Sequence, residues 1–274
     1  MVKLIKAEWY RVLNSSKLMV WLAVMLFMLI FMPYVDIITM VSDKSEITGI
    51  YFLYQYFAMG QYYLTSFFAI FAGVLVAMNY IHKTSYHEVM QGNNVHHIIL
   101  SKVIVDGLLC MATFAVATFG SFGYFCIKNG FGDINGDWEI YSDFISEYDV
   151  MQGGNPQTVL RVILFVLLTL HVVLCSILIV TSIRNGLGIA LVWLRWSVIE
   201  GVLSMVASIL VRDMDASPKL KILSLFITQR YSMIADKSYP IPGYFLPLTI
   251  GMLLIEVALW YGVSCYGYKK QIYS

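Results

Sequence analysis

Charged side chains are scarce in this chain. Lys, Arg, Asp and Glu make up 13% of its 274 residues, against about a quarter in a soluble globular domain. Hydrophobic residues reach 59%, and the mean hydropathy is +0.73. A water-soluble surface cannot be built from so few charges, so the expected class is a polytopic helical membrane protein. Neither sign dominates: the net charge of +1 gives no footprint for nucleic acid. Cysteine is also sparse. Cys110, Cys126, Cys175 and Cys265 fall in or at the ends of apolar runs, which argues against a disulfide frame or a zinc site and for small buried hydrophobes.

Catalytic signatures are missing as well. No G-x-x-x-x-G-K-[ST] loop is present, so no ATP hydrolysis is expected from this chain, and neither H-E-x-x-H nor G-x-S-x-G occurs. The run DINGDWE (133–139) alternates oxygen ligands, but Trp138 stands where a calcium loop needs glycine. It reads as an acidic loop. No metal, cofactor or catalytic residue is expected in this chain.

What is present is a series of apolar runs. Six spans are expected, at 18–35, 60–81, 103–127, 159–183, 186–211 and 244–267, each long enough for a ~30 Å hydrocarbon core. They make residues 1–274 one all-α transmembrane domain. The first run follows a polar segment and no small-x-small cleavage site, so it is expected to stay as a span. Connectors 36–59, 128–158 and 212–243 are assigned to one side of the membrane. Segment 82–102, the Arg184-Asn185 turn and both termini are assigned to the other.

Lysine and arginine set the orientation. Lys3, Lys6, Arg11 and Lys17 precede the first span and Lys269 and Lys270 follow the last, whereas loop 128–158 carries Lys128 and six acids. Cytosolic termini in a plasma-membrane protein are expected. Segment 212–243, with five basic residues, runs against the rule. Its apolar core is too short to cross, and it reads as short interfacial or re-entrant helices bounded by Pro218, Pro240 and Pro242.

The stretch before the first span is amphipathic. At 100° per residue, Ile5, Trp9, Val12 and Leu13 share one face, and Lys3, Lys6, Tyr10, Asn14 and Lys17 the other. Such a helix suits the headgroup layer, with Trp9 as its anchor; packing on a soluble partner is the alternative.

Ionisable residues within spans are costly to bury in lipid, so they mark structure or function. Asp106, so close to Lys102, reads as an interface residue. His171, Arg195 and Glu256 lie ~18, ~14 and ~16 Å from the same side, at ~1.5 Å per residue. Three spans thus place polar groups near the midplane, and Arg195 is expected to pair with Glu256. Glu200 follows Arg195 by five, about 140° around an α-helix, so those two are not expected to meet. The layer serves either as an interhelical ion pair or as the polar lining of a translocation path. In WLRW (193–196), two tryptophans flank Arg195 in a pattern that fits packing or a cation–π contact.

The polar segment HKTSYHEVMQGNNVHHIILSK (82–102) holds four histidines, at irregular spacing and without cysteine. They read as solvated or partner-facing. Tyr86, Val89 and Met90 can form a docking face, Glu88 supplies charge, and Gly92-Asn93-Asn94 signals a turn or helix end. A two-residue turn suffices elsewhere, so this segment is read as a coupling element that another protein pushes on.

The combined pattern resembles the membrane subunit of type 2 ABC exporters, above all the small permeases of lantibiotic-immunity, bacitracin-resistance and amphipathic-peptide exporters. The resemblance rests on KLIKAEWYRVLNSSK as an elbow helix, six spans, the segment between spans two and three, the helices between spans five and six, and the basic tail GYKKQIYS. Family members often carry Gly-Thr, then G-x-S-R, then a lysine ten residues after that glycine. Here Thr84-Ser85 stands for Gly-Thr and Gly92 precedes Lys102 by ten, while Asn94 replaces the serine and Val95 the arginine. The resemblance implies two ATP-binding subunits that carry ATP and Mg and contact the elbow and coupling helices. It also implies a second permease subunit, identical or sibling, and a peptide substrate such as a toxin, bacteriocin or antibiotic. The same layout could export a small drug, a lipid-linked molecule or an ion; an immunity or receptor-like membrane protein without an ATPase is the competing class, and an intramembrane enzyme built on His171, Arg195, Glu200 and Glu256 a further one.

Overall fold

The computed structural model describes residues 1–40, 47–81, 94–132, 155–183, 187–212, 214, 216–235 and 241–273. Among these residues the chain is helical throughout, with no strand. Helix α1 (Val2–Asn14) is followed by α2 (Ser16–Met40), α3 (Gly49–Tyr62), a π-helical turn π1 (Tyr63–Phe68) and α4 (Ala69–Ile81). Then come α5 (Val95–Asn129), α6 (Asn155–Ile183), α7 (Leu187–Trp193), a second π-helical turn π2 (Leu194–Ile199) and α8 (Glu200–Leu210). Short α9 (Ala216–Leu223) and α10 (Ile227–Ala235) precede α11 (Phe245–Tyr273).

Five helices are long and apolar enough to cross a membrane: Ser16–Thr39, Val95–Asn129, Gln157–Ile183, Leu187–Leu210 and Phe245–Gly267. The pair Gly49–Met59 and Tyr63–Met78, bent by 62°, is long and apolar enough when taken together and is either a broken sixth span or a re-entrant loop. The chain is therefore a multi-pass membrane protein. α6 is its central post: 67% of its apolar window is buried, against 11% for α11. Around α6, Phe57, Phe114 and Tyr231 pack on Phe165 with ring centroids 4.5, 5.6 and 5.7 Å away. In lipid, where burial of apolar surface drives little, such close van der Waals packing does the holding.

Three sequence expectations are corrected here. Residues 36–59 are not a plain connector. α2 continues to Met40, and α3 already begins at Gly49, with Phe52, Leu53, Tyr54, Tyr56 and Phe57 all buried. The aromatic wealth of YFLYQYF lowers its mean hydropathy although the helix is fully packed. Asp36 consequently belongs to a membrane-length helix, where its carboxylate accepts a hydrogen bond from the Tyr63 hydroxyl. The third span begins well before residue 103. Asn94 is its N-cap, accepting from the His96 backbone N–H at 3.0 Å, so Asn94 opens this helix. The segment carrying Tyr86, Glu88, Val89, Met90 and Gly92 lies outside the described residues, as do DINGDWE and the Arg184-Asn185 turn.

The far end of α5 is fastened to the start of α3. Gly49 N–H donates to Gly130 C=O (3.1 Å), Ile50 N–H to Phe131 C=O (3.0 Å), and Asn129 Nδ2 to Ile47 C=O (2.9 Å). Gly130 makes this exit with φ 86°, a conformation that strains any residue with a Cβ.

α1 packs against α5, but not on the expected face. Val12 is buried and Ile5 and Trp9 are half-buried, whereas Leu13 is 59% exposed. The surprise on the inner face is Glu8, itself buried. Its carboxylate takes two bonds from Arg11 (Nε 3.0 Å, Nη2 2.9 Å) and one from Lys102 Nζ (3.4 Å). Arg11 Nη2 also reaches Asp106 Oδ1 at 3.5 Å. Asp106 is fully buried within the protein. It stands one turn from Lys102 on α5, an i, i+4 spacing that aims both side chains at α1. Burial works to raise the Glu8 pKa, but the Lys102 and Arg11 charges outweigh it and hold the carboxyl below its ordinary value.

Candidate functional site: an ionic layer within the helix bundle

The polar groups in the spans converge on α6, π2, α8 and α11. Arg195 stands at their centre. Its Nη1 donates to Glu200 Oε2 at 2.8 Å and its Nη2 to Glu256 Oε1 at 2.9 Å. The other oxygen of Glu256, Oε2, lies 3.2 Å from His171 Nε2 and accepts from the Cys175 thiol at 3.9 Å. His171 and Cys175 are one turn apart on α6, so both face α11. The Arg195 guanidinium also lies 4.5 Å over the Trp196 ring. Trp196 is anchored in turn by its Nε1–H to Ser176 Oγ at 3.1 Å. The cation–π partner is thus Trp196; Trp193 is 49% exposed and faces away.

The Arg195–Glu256 contact agrees with their similar depths in the sequence. The Arg195–Glu200 contact corrects the expectation that these two diverge. π2 is the reason. Its closing bond runs from Glu200 N–H to Arg195 C=O, an i→i+5 connection that widens the turn. An extra residue per turn swings Glu200 back beneath Arg195, so five-apart residues become neighbours. π2 is also tied to π1, through Ser197 Oγ to Ser66 Oγ at 3.0 Å.

Glu200 links the layer to α10. Its Oε1 accepts the Ile227 backbone N–H, the first of that helix, placing a carboxylate at the positive end of the helix dipole. At the other end of α10, Arg161 Nη1 donates to Ile234 C=O (2.6 Å) and Met233 C=O (3.3 Å). α10 is therefore held by an anion at its N-terminus and a cation at its C-terminus, antiparallel to the N-terminal half of α6. Tyr231 OH against Thr169 Oγ1 (3.4 Å) marks the middle of that contact. Arg230 is 1% exposed, and among the described residues its Nε and Nη1 have no hydrogen-bond partner.

The layer holds two guanidinium groups, Arg195 and Arg230, and two carboxylates, Glu200 and Glu256. Arg195 and Glu256 retain 22% and 20% side-chain exposure, whereas Glu200 and His171 are nearly closed off at 6% and 1%. Charged groups in spans normally face a bundle interior or a water-filled cavity, and Arg195 and Glu256 are the ionised members of the layer that keep some exposure.

Sequence reading missed several participants. Cys175 was passed over as a hydrophobe, although its spacing from His171 was visible. Arg230 lay in the segment between the last two spans, and only the return of α10 into the bundle brings it near the layer. Glu8 carried a signal: it stands between Ile5 and Val12 on the apolar face of α1. His96, read as solvated, meets Tyr261 OH at 3.0 Å and Cys265 Sγ at 3.4 Å. No protein-family model matches the sequence, and no curated protein matches it significantly.

Proposed function

We propose that this chain is the permease subunit of an ATP-driven type 2 ABC exporter that moves amphipathic or hydrophobic peptides out of the cell or the membrane. In this reading it lies in the plasma membrane with both termini cytosolic and faces a second permease subunit, identical or sibling. Two separate ATP-binding subunits carry ATP and Mg and do the hydrolysis. The observation that carries the reading is the Glu8–Arg11–Lys102–Asp106 clasp between α1 and α5. α5 starts at Val95, directly after segment 82–93. A push on that segment would move α5, and the clasp would make α1 move with it. Closure of paired ATPase subunits is a rigid-body motion, and it needs such a stiff receiver to reach the spans. α1 then serves as the elbow and Tyr86, Glu88, Val89, Met90 and Gly92 as the coupling element. The ionic layer is the polar part of the path, and α9–α10 the short return between the last two spans.

The test is co-purification with the product of a neighbouring gene that encodes a P-loop ATPase. The intact chain retains the ATPase, and peptide stimulates its hydrolysis. Tyr86→Asp with Met90→Asp releases it. A variant that keeps an active complex would overturn the coupling assignment, and the absence of any ATPase partner would favour the immunity or receptor-like class.

A further inference from the structure

We infer that His171, Cys175 and Glu256 form a binding site for a borderline divalent cation of the zinc class. The inference holds whatever the chain transports and does not rest on an ATPase partner. One ligand atom from each residue lies within 4.8 Å of the others. The two measured edges are 3.2 Å from His171 Nε2 to Glu256 Oε2 and 3.9 Å from Cys175 Sγ to the same oxygen. With bonds of about 2.0–2.3 Å to N, O and S, a tetrahedral ion spaces its ligands at about 3.4–3.6 Å. Those two edges bracket that range, and the third, between His171 and Cys175, lies within 4.8 Å.

The donor set is chemically selective. Imidazole, thiolate and carboxylate together suit zinc, and the thiolate disfavours magnesium and calcium. A thiol turned toward a carboxylate is also ill explained as packing, because an apolar residue would fill the space without a polar neighbour. The surroundings supply part of the outer support that metal ligands need. Arg195 holds the other oxygen of Glu256 at 2.9 Å and fixes its direction, so that Oε2 faces His171 and Cys175, while among the described residues His171 Nδ1 is buried without a hydrogen-bond partner. His171 abuts Trp196 edge-on, with centroids 5.9 Å apart, which fixes the ring plane. On binding, the Cys175 thiol releases its proton to solvent, and the His171 ring proton resides on Nδ1. The ion adds two positive charges and the thiolate one negative.

The experiment uses the full chain in detergent or nanodiscs, stripped with chelator and titrated with cobalt as a spectroscopic stand-in. About one cobalt per chain is expected, with a thiolate-to-cobalt charge-transfer band and the intense d–d bands of a tetrahedral ion, all displaced by zinc. Cys175→Ser should abolish the charge-transfer band, and Glu256→Gln should weaken binding about tenfold or more. Cys265→Ser, which removes the thiol beside His96, should leave the spectrum unchanged. No thiolate band in the folded wild-type chain overturns the proposal, as does a band that survives Cys175→Ser or disappears with Cys265→Ser. The wild-type titration and the near-isosteric Cys175→Ser decide the matter even if Glu256→Gln fails to fold.

Discussion

The two ionic clusters of this molecule are built on opposite plans. The clasp joins α1 to the start of α5 and draws on local spacings: Glu8 and Arg11 are three apart, Lys102 and Asp106 four apart. The layer joins α6, π2, α8 and α11, with α10 set on its edge, and its key neighbours are separated by five residues or by whole helices. The clasp lies where a terminal helix meets the bundle; the layer lies within the spans. Losing Glu8 from the clasp would free a helix and remove the carboxylate that the buried Lys102 meets there. Losing Arg195 from the layer would leave two carboxylates without their shared cation. A buried ion pair adds little by existing but costs much when half of it is removed.

Arg195→Met is the sharpest way to break this contrast. It leaves Glu200 and Glu256 without their shared partner, and about 3–5 kcal/mol of stability should be lost. Thermal unfolding in detergent reads the loss. Adding Glu200→Gln and Glu256→Gln to Arg195→Met should restore most of it, because the stranded charges, not the missing contacts, carry the cost.

Glu8→Gln should cost less, about 1.5–3 kcal/mol, the scale of a hydrogen bond to a charged group. The loss should be confined to faster amide exchange across Val2–Asn14. Acidification provides the same test. Glu8 has a lowered pKa in the folded chain, so its contribution is fully present above the unfolded value of about 4.3. It disappears as the pH falls through the lower folded value. α1 should therefore loosen on acidification below about pH 4, and Glu8→Gln should flatten that response.

Glu200→Gln keeps a side chain near the α10 N-terminus but removes its charge. A helix-dipole contribution of up to about 2 kcal/mol is then at stake, visible as faster exchange of the α10 amides. The smallest effect belongs to the face that the helical wheel misassigned. Leu13→Ser should change stability by no more than about 0.5 kcal/mol, as at ordinary exposed positions. Val12→Ser on the packed face should cost several times more.

Much of the frame was legible in the sequence, for a definite reason. A membrane-length helix is a statement about length and apolarity, both linear in the chain, so five spans and the similar depths of His171, Arg195 and Glu256 could be read by counting. The same arithmetic foresaw Arg195 beside Glu256. It failed at Glu200 because counting assumes 3.6 residues per turn, and π2 breaks that assumption. The start of α3 was hidden by tyrosines and Gln55, which depress hydropathy yet lie buried among aromatic neighbours.

The sequence by itself determined that this is a multi-pass helical membrane protein and that a few charges had to find one another inside it. Scarce charge and long apolar runs leave no other solution, since backbone polar groups in lipid must be satisfied within each helix. Which charges meet was decided by tertiary structure. The π turn rotated Glu200 beneath Arg195, the return of α10 brought its first amide to Glu200, and the docking of α1 placed Glu8 against Lys102. Each of these contacts depends on how one helix is rotated and set against another, and that orientation is fixed by packing around α6.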